Sequence, residues 1–284
     1  MTTFDPTEAT VEAVHEAMRA GDLTSRELVD CYLDRIDAYD RTGPELNSIV
    51  TINDDARERA AELDEAFAEE GVVGPLHGIP VLVKDQAETA GLRTTFGSAV
   101  FDDYVPEADA AVVARLKRAG AVVLAKTNLC DWAASWFGYS SAVGRTKNPY
   151  ALDRDPGGSS AGTGAGVAAN LGAVGIGEDT GGSIRLPAGY CNLFGIRVTT
   201  GLISRAGLSP LVSRQDTPGP MTRTVTDMAH VLDAIVGYDD ADEWTGTTAP
   251  VPDRPFTDCL DADALDSARV GVLRGGFGDD DAPG

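Results

Sequence analysis

The stretch that most constrains this chain is Gly-rich and runs DPGGSSAGTGAGVAANLGAVGIGEDTGGSIRLP over residues 155–187. It holds two glycine pairs followed by serine, Gly157-Gly158-Ser159-Ser160 and Gly181-Gly182-Ser183, separated by a run of Gly and Ala. Glycine lets a backbone turn sharply or approach another group closely. A Gly-Gly-Ser turn can therefore expose a hydroxyl while aiming neighbouring N–H groups at one point, which is what a nucleophile and its oxyanion hole require. Ser183 is the candidate to attack a carbonyl carbon, and the rest of the chain has to supply its base and walls.

Charge narrows the field. Among 284 residues there are 45 acids against 23 Lys and Arg, a formal net charge of −22, and the only lysines are Lys84, Lys117, Lys126 and Lys147. Such a surface repels nucleic acid and anionic membranes. An Asp-rich, Lys-poor composition fits high intracellular salt, where a short Debye length screens acid–acid repulsion. Four cysteines (Cys31, Cys130, Cys191 and Cys259) without CxxC or metal-like spacing suit a reduced, cytoplasmic protein. No basic leader and no membrane-length apolar window is read from the sequence.

Periodicity predicts helices over residues 7–20, 24–36, 54–70, 109–118, 160–171 and 228–236, with Thr24-Ser25-Arg26-Glu27 as a capping box and Thr226 as the last helix's N-cap. Short strands are expected at 48–52, 81–83, 121–124, 173–177, 196–198, 201–203 and 269–273, with Lys126-Thr127-Asn128 as a loop. Helix, Gly, then aliphatic strand is the pattern of a crossover onto a parallel sheet. Residues 238–266 read as an acidic, linker-like segment and 279–284 as an acidic tail. Trp132, Trp136, Phe137 and Tyr139 read as core or pocket wall, core being the commoner role. His15 reads as a surface or half-buried residue without chemistry, and His230 as structural.

Lys84 ends the aliphatic run Val81-Leu82-Val83. Two readings stand: a snorkelling stem with its ammonium paired to Asp85 at the surface, or a functional group at the C-terminal end of a central strand, where α/β sites are built. A serine nucleophile needs a base. The only histidines are His15, His77 and His230, with no Gly-x-Ser-x-Gly elbow; HExxH, GxxxxGK[ST] and GxGxxG spacing are all lacking. Neither metal nor nucleotide cofactor is called for, and lysine is left as the base, with Lys84 in the best context.

The chain resembles the amidase signature family. The matching residues are Gly157-Gly158-Ser159-Ser160, 178–188 (EDTGGSIRLPA), 77–85 (HGIPVLVKD), 120–128 (GAVVLAKTN) and 216–221 (DTPGPM), in family order. The resemblance implies an α/β fold with a mixed, largely parallel sheet between helices, as a single domain over 5–284. It also implies a Ser–cis-Ser–Lys triad: Ser183 as acylated nucleophile, Ser159 as bridge after a cis peptide, and Lys84 as a free-amine base, a form that burial favours. Thr180, Gly181 and Gly182 would hold the oxyanion, with Gly158, Asp179 and Arg185 in support. Glu178 stands where Thr or Ser is commoner in the family, and Thr163 where Ser is. Neither is expected to touch the triad.

The implied reaction turns a small-molecule carboxamide into carboxylate and ammonia through an acyl-enzyme. Family members are usually longer, so the chain reads as lacking the C-terminal part. An open sheet edge would then be left for a second copy or a partner chain to cover. The rival readings are one component of a multi-chain, tRNA-dependent glutamine amidotransferase, an inactive truncated fragment, and a nucleotide-binding module.

Overall fold

The computed structural model describes residues 4–247 and 253–276. In chain order the helices are α1 (Val11–Ala20), α2 (Ser25–Arg35), α3 (Ala56–Glu70), α4 (Ala111–Arg118), α5 (Ala161–Ala168), α6 (Arg185–Tyr190) and α7 (Val225–Ile235). The strands are β1 (Ile49–Ile52), β2 (Pro80–Lys84), β3 (Val122–Thr127), β4 (Tyr139–Ser140), β5 (Gly144–Arg145), β6 (Val174–Glu178), β7 (Phe194–Gly195) and β8 (Pro218–Thr222). Local chemistry explains the helix starts. Thr10 caps α1, and Thr24 with Glu27 closes the expected capping box on α2.

Six strands form one mixed sheet in the order β1-β3-β2-β6-β8-β7. Its centre, β3-β2-β6, is parallel, and the outer pairings are antiparallel. The fully buried β2, β3 and β6 are near-continuous apolar runs, as a strand covered on both faces must be. Helix α5 contacts β2, β3, β6 and β8, while α3 and α4 pack on β3 and α7 on β8. The Gly-rich composition of α5 follows from that closeness. A Cβ on Gly162 would stand 2.2 Å from the Ser48 carbonyl oxygen and 2.3 Å from the Asn128 nitrogen. Among the described residues no helix is long and apolar enough to cross a membrane.

Several expectations are corrected. Lys126 and Thr127 are not a loop: β3 runs through both, because β1 and β2 continue alongside to pair with them. No strand forms at 196–198 or 201–203. The edge pairing onto β8 ends at Gly195, and the chain turns at Gly201, whose φ is +87°. Residues 269–273 form no strand either. Val270, Val272 and Leu273 are exposed, and no described strand lies beside them to complete a ladder. Strand β8 was hidden by Pro218 and Pro220, which lack the ladder donor, and α7 begins at Val225 with Thr224, not Thr226, as its cap.

Trp132, Trp136, Phe137 and Tyr139 are exposed rather than core, whereas His15 is buried. The described part of 238–266 is pinned to the body: Asp242 pairs with Arg205, and Asp233 accepts the Phe256 and Thr257 N–H groups. The 279–284 tail lies outside the described residues.

Candidate active site

Lys84 ends β2 and Glu178 ends β6, so two charged side chains emerge at the C-terminal ends of neighbouring parallel strands. Lys84 is 1% exposed and therefore does not snorkel; Asp85, its imagined partner, is buried and pairs instead with Lys126 at 2.9 Å. Lys84 Nζ lies 2.8 Å from Ser159 Oγ, 3.2 Å from the Glu178 carbonyl oxygen and 3.1 Å from Glu178 Oε2. Glu178 thus touches the proposed base directly, against the expectation that it would not. Thr163, the other departure, meets Thr127 and the Ile176 carbonyl oxygen instead.

Ser159 sits in the turn before α5, after a cis Gly158–Ser159 peptide. Gly158 is required by its surroundings: a Cβ there would stand 2.8 Å from the Phe137 carbonyl oxygen. The two serine turns are stitched together, since the Ser160 N–H donates to the Ser183 carbonyl oxygen at 3.1 Å. Lys84 and Ser159 are therefore in direct contact, with Ser183 in the adjoining turn. The Ser183 hydroxyl makes no hydrogen bond among the described residues.

Asp179 shapes the Ser183 turn. Its buried carboxylate accepts from the N–H groups of Gly182 (2.6 Å) and Ile184 (3.0 Å), and from the Arg185 side chain at 3.1 Å. Burial pushes this carboxyl up, but the bonds from Arg185, Ile184 and Gly182 together outweigh it and hold it below the ordinary carboxylate range. The Gly182 N–H is thereby spent. Among the described residues, the N–H groups of Thr180, Gly181 and Ser183 carry no hydrogen bond and are the donors left for an anion.

Ser183 opens into a cleft of about 520 Å³ whose lining includes Trp136, Phe137, Thr180, Gly181, Leu211 and Val212. No lining residue of this cleft is charged. Glu178 also lines a smaller cavity of about 220 Å³, together with Gln86, Arg205, Ser209, Asp216 and Asp242. Cys130, whose thiol is pushed up by burial, is within electrostatic reach of Lys84. The sequence pointed to Trp136 and Phe137 as a possible pocket wall, but not to Leu211 and Val212, nor to the contact between Glu178 and Lys84. Glu178 carried the same signal as Lys84, a charge ending a buried strand; Leu211 and Val212 carried none.

Comparison with known proteins decides the family. The Amidase family model matches residues 27–282. The chain belongs to the amidase family. The A subunit of the glutamyl-tRNA(Gln) amidotransferase of Heliobacterium modesticaldum is 40% identical over 271 residues, 95% of this chain and 54% of that protein. The native peptide amidase of Stenotrophomonas maltophilia, solved by X-ray crystallography, superposes with a TM-score of 0.83 at 46% identity, over 88% of this chain and 51% of that one. The corresponding amidotransferase polypeptide of Thermotoga maritima gives a TM-score of 0.73 at 35% identity, over 86% and 50%. The chain spans about half the length of the amidase relatives it matches.

Proposed function

We propose that the site hydrolyses an uncharged carboxamide through an acyl-enzyme on Ser183. The observation that carries the reading is the 2.8 Å contact between Lys84 Nζ and Ser159 Oγ in a fully buried corner beside the Ser183 turn. In this mechanism the Ser183 oxygen bonds to the amide carbon while its proton passes to Ser159, and the Ser159 proton passes to the Lys84 amine. The free Thr180, Gly181 and Ser183 N–H groups receive the oxyanion. Lys84 then returns the proton through Ser159 to the departing ammonia, and water opens the ester. Catalytic hydrogen bonds commonly close only around substrate, so an unpaired Ser183 hydroxyl is compatible with the relay.

The amidotransferase relatives keep a second reading alive, in which the chain is one component of such an assembly, drawing ammonia from glutamine and working with a partner chain. The uncharged cleft favours the hydrolase, because free glutamine brings a carboxylate and an ammonium that the lining does not match. Under either reading, the exposed Phe194 and Ile196 at the β7 edge are where a second copy or partner would cover the sheet. Ammonia release from a panel of amides, glutamine included, tests the proposal. Ser183→Ala should abolish release, and Lys84→Ala should lower it by about 100-fold or more; turnover near wild type in Lys84→Ala removes lysine from the mechanism.

A further inference from the structure

The hydrogens around Glu178 can be counted. Its Oε2 faces Lys84 at 3.1 Å, and its Oε1 lies 3.0 Å from Thr180 Oγ1. The same threonine oxygen lies 2.5 Å from Asp216 Oδ1. A hydroxyl owns one hydrogen and cannot donate to two carboxyl groups. Asp216 also accepts the N–H groups of Leu211 (2.9 Å) and Val212 (3.0 Å), the environment of an ionised carboxylate, and so takes the Thr180 hydrogen. Thr180 then offers only lone pairs to Glu178. An ionised Glu178 would press oxygen lone pairs together in a site where it is 1% exposed, which is costly.

We propose that Glu178 stands as a protonated acid in the resting site and positions Lys84 as a free amine, a role that rests on the mechanism above. Its Oε1–H donates to Thr180, which donates to Asp216. The two amine hydrogens of Lys84 go to Glu178 Oε2 and to the Glu178 carbonyl oxygen, which turns the nitrogen lone pair toward Ser159 Oγ–H. When acylation begins, the Ser159 O–H bond breaks and an N–H bond forms on Lys84; the Glu178 proton does not move. The other charges nearby are already matched. Asp85 is paired with Lys126, Asp242 with Arg205 beside Glu178 and Asp216, and the Cys130 thiol stays protonated. Lys84, Glu178 and Asp216 are left as the groups whose protons set the site.

The test is a difference infrared spectrum of the full chain at neutral pH, wild type minus Glu178→Gln, combined with the rate at which a fluorophosphonate acylates Ser183. The wild type should show the C=O stretch of a protonated carboxyl that the variant lacks. Glu178→Ala should slow acylation by about tenfold or more through misplacement of the amine. Glu178→Gln, with an N–H where the acid has its O–H, should recover most of that rate. A spectrum without the acid band, or a glutamine variant as slow as alanine, overturns the proposal. If the wild type itself is not acylated, the functional reading fails while the band still decides the state of Glu178.

Discussion

Asp179 shows how much one buried carboxylate can hold. It gathers three backbone N–H groups, those of Gly182, Ile184 and Arg185, and the Arg185 side chain, and so fixes the turn that presents Ser183. Asp179→Asn keeps the size and one acceptor oxygen, but removes the charge opposite Arg185 and turns the other oxygen into an NH2 donor that faces donors. Urea unfolding should show a loss of about 2 kcal/mol, the scale of hydrogen bonds to a charged group. Because its folded carboxyl is held below the ordinary range, this contribution is complete above the unfolded value of about 3.9 and disappears as pH falls through the folded one. The wild type should therefore lose more stability than Asp179→Asn on acidification below pH ~4. Lys84 was legible as a strand-end charge and Ser159 and Ser183 as turn serines. Glu178 was equally placed, but an acid beside an expected base reads as background charge until its contact with Lys84 is seen.

At the scale of elements, α1 meets the turn before β2 through two histidines. His15 Nε2 lies 2.9 Å from the His77 carbonyl oxygen, and burial pushes both imidazoles down from their ordinary value. The fold disfavours their charged forms, while the unfolded chain takes up protons below about pH 6.5. Stability from this pair is thus complete above that pH and is lost as pH falls below it. The urea midpoint should drop between about pH 7.5 and 5.5, and His77→Phe should flatten the drop; an equal slope in both proteins would clear the histidines. The elements themselves were legible where pattern and partner agree, as in β2, β3 and α2. Residues 269–273 alternate like a strand, yet alternation supplies no neighbour to pair with. The prolines of β8 hid a strand whose ladder needs only its other groups.

The whole molecule is governed by its charge. With a net charge of −22, self-repulsion opposes the compact state. The Debye length falls from about 10 Å at 0.1 M salt to about 3 Å at 1 M. Melting followed by circular dichroism should move to higher temperature as KCl is raised across that range, and a flat or falling Tm would remove the salt-adapted reading. The proposed chemistry requires a proton to leave Ser183 by way of Ser159 to Lys84. Its most direct measurement is intact-mass and peptide-level detection of fluorophosphonate labelling in the wild type and in Lys84→Ala. The predicted result is one adduct, on Ser183, formed by the wild type and lost in the variant; a label on another residue, or equal labelling of Ser183 without Lys84, would contradict it.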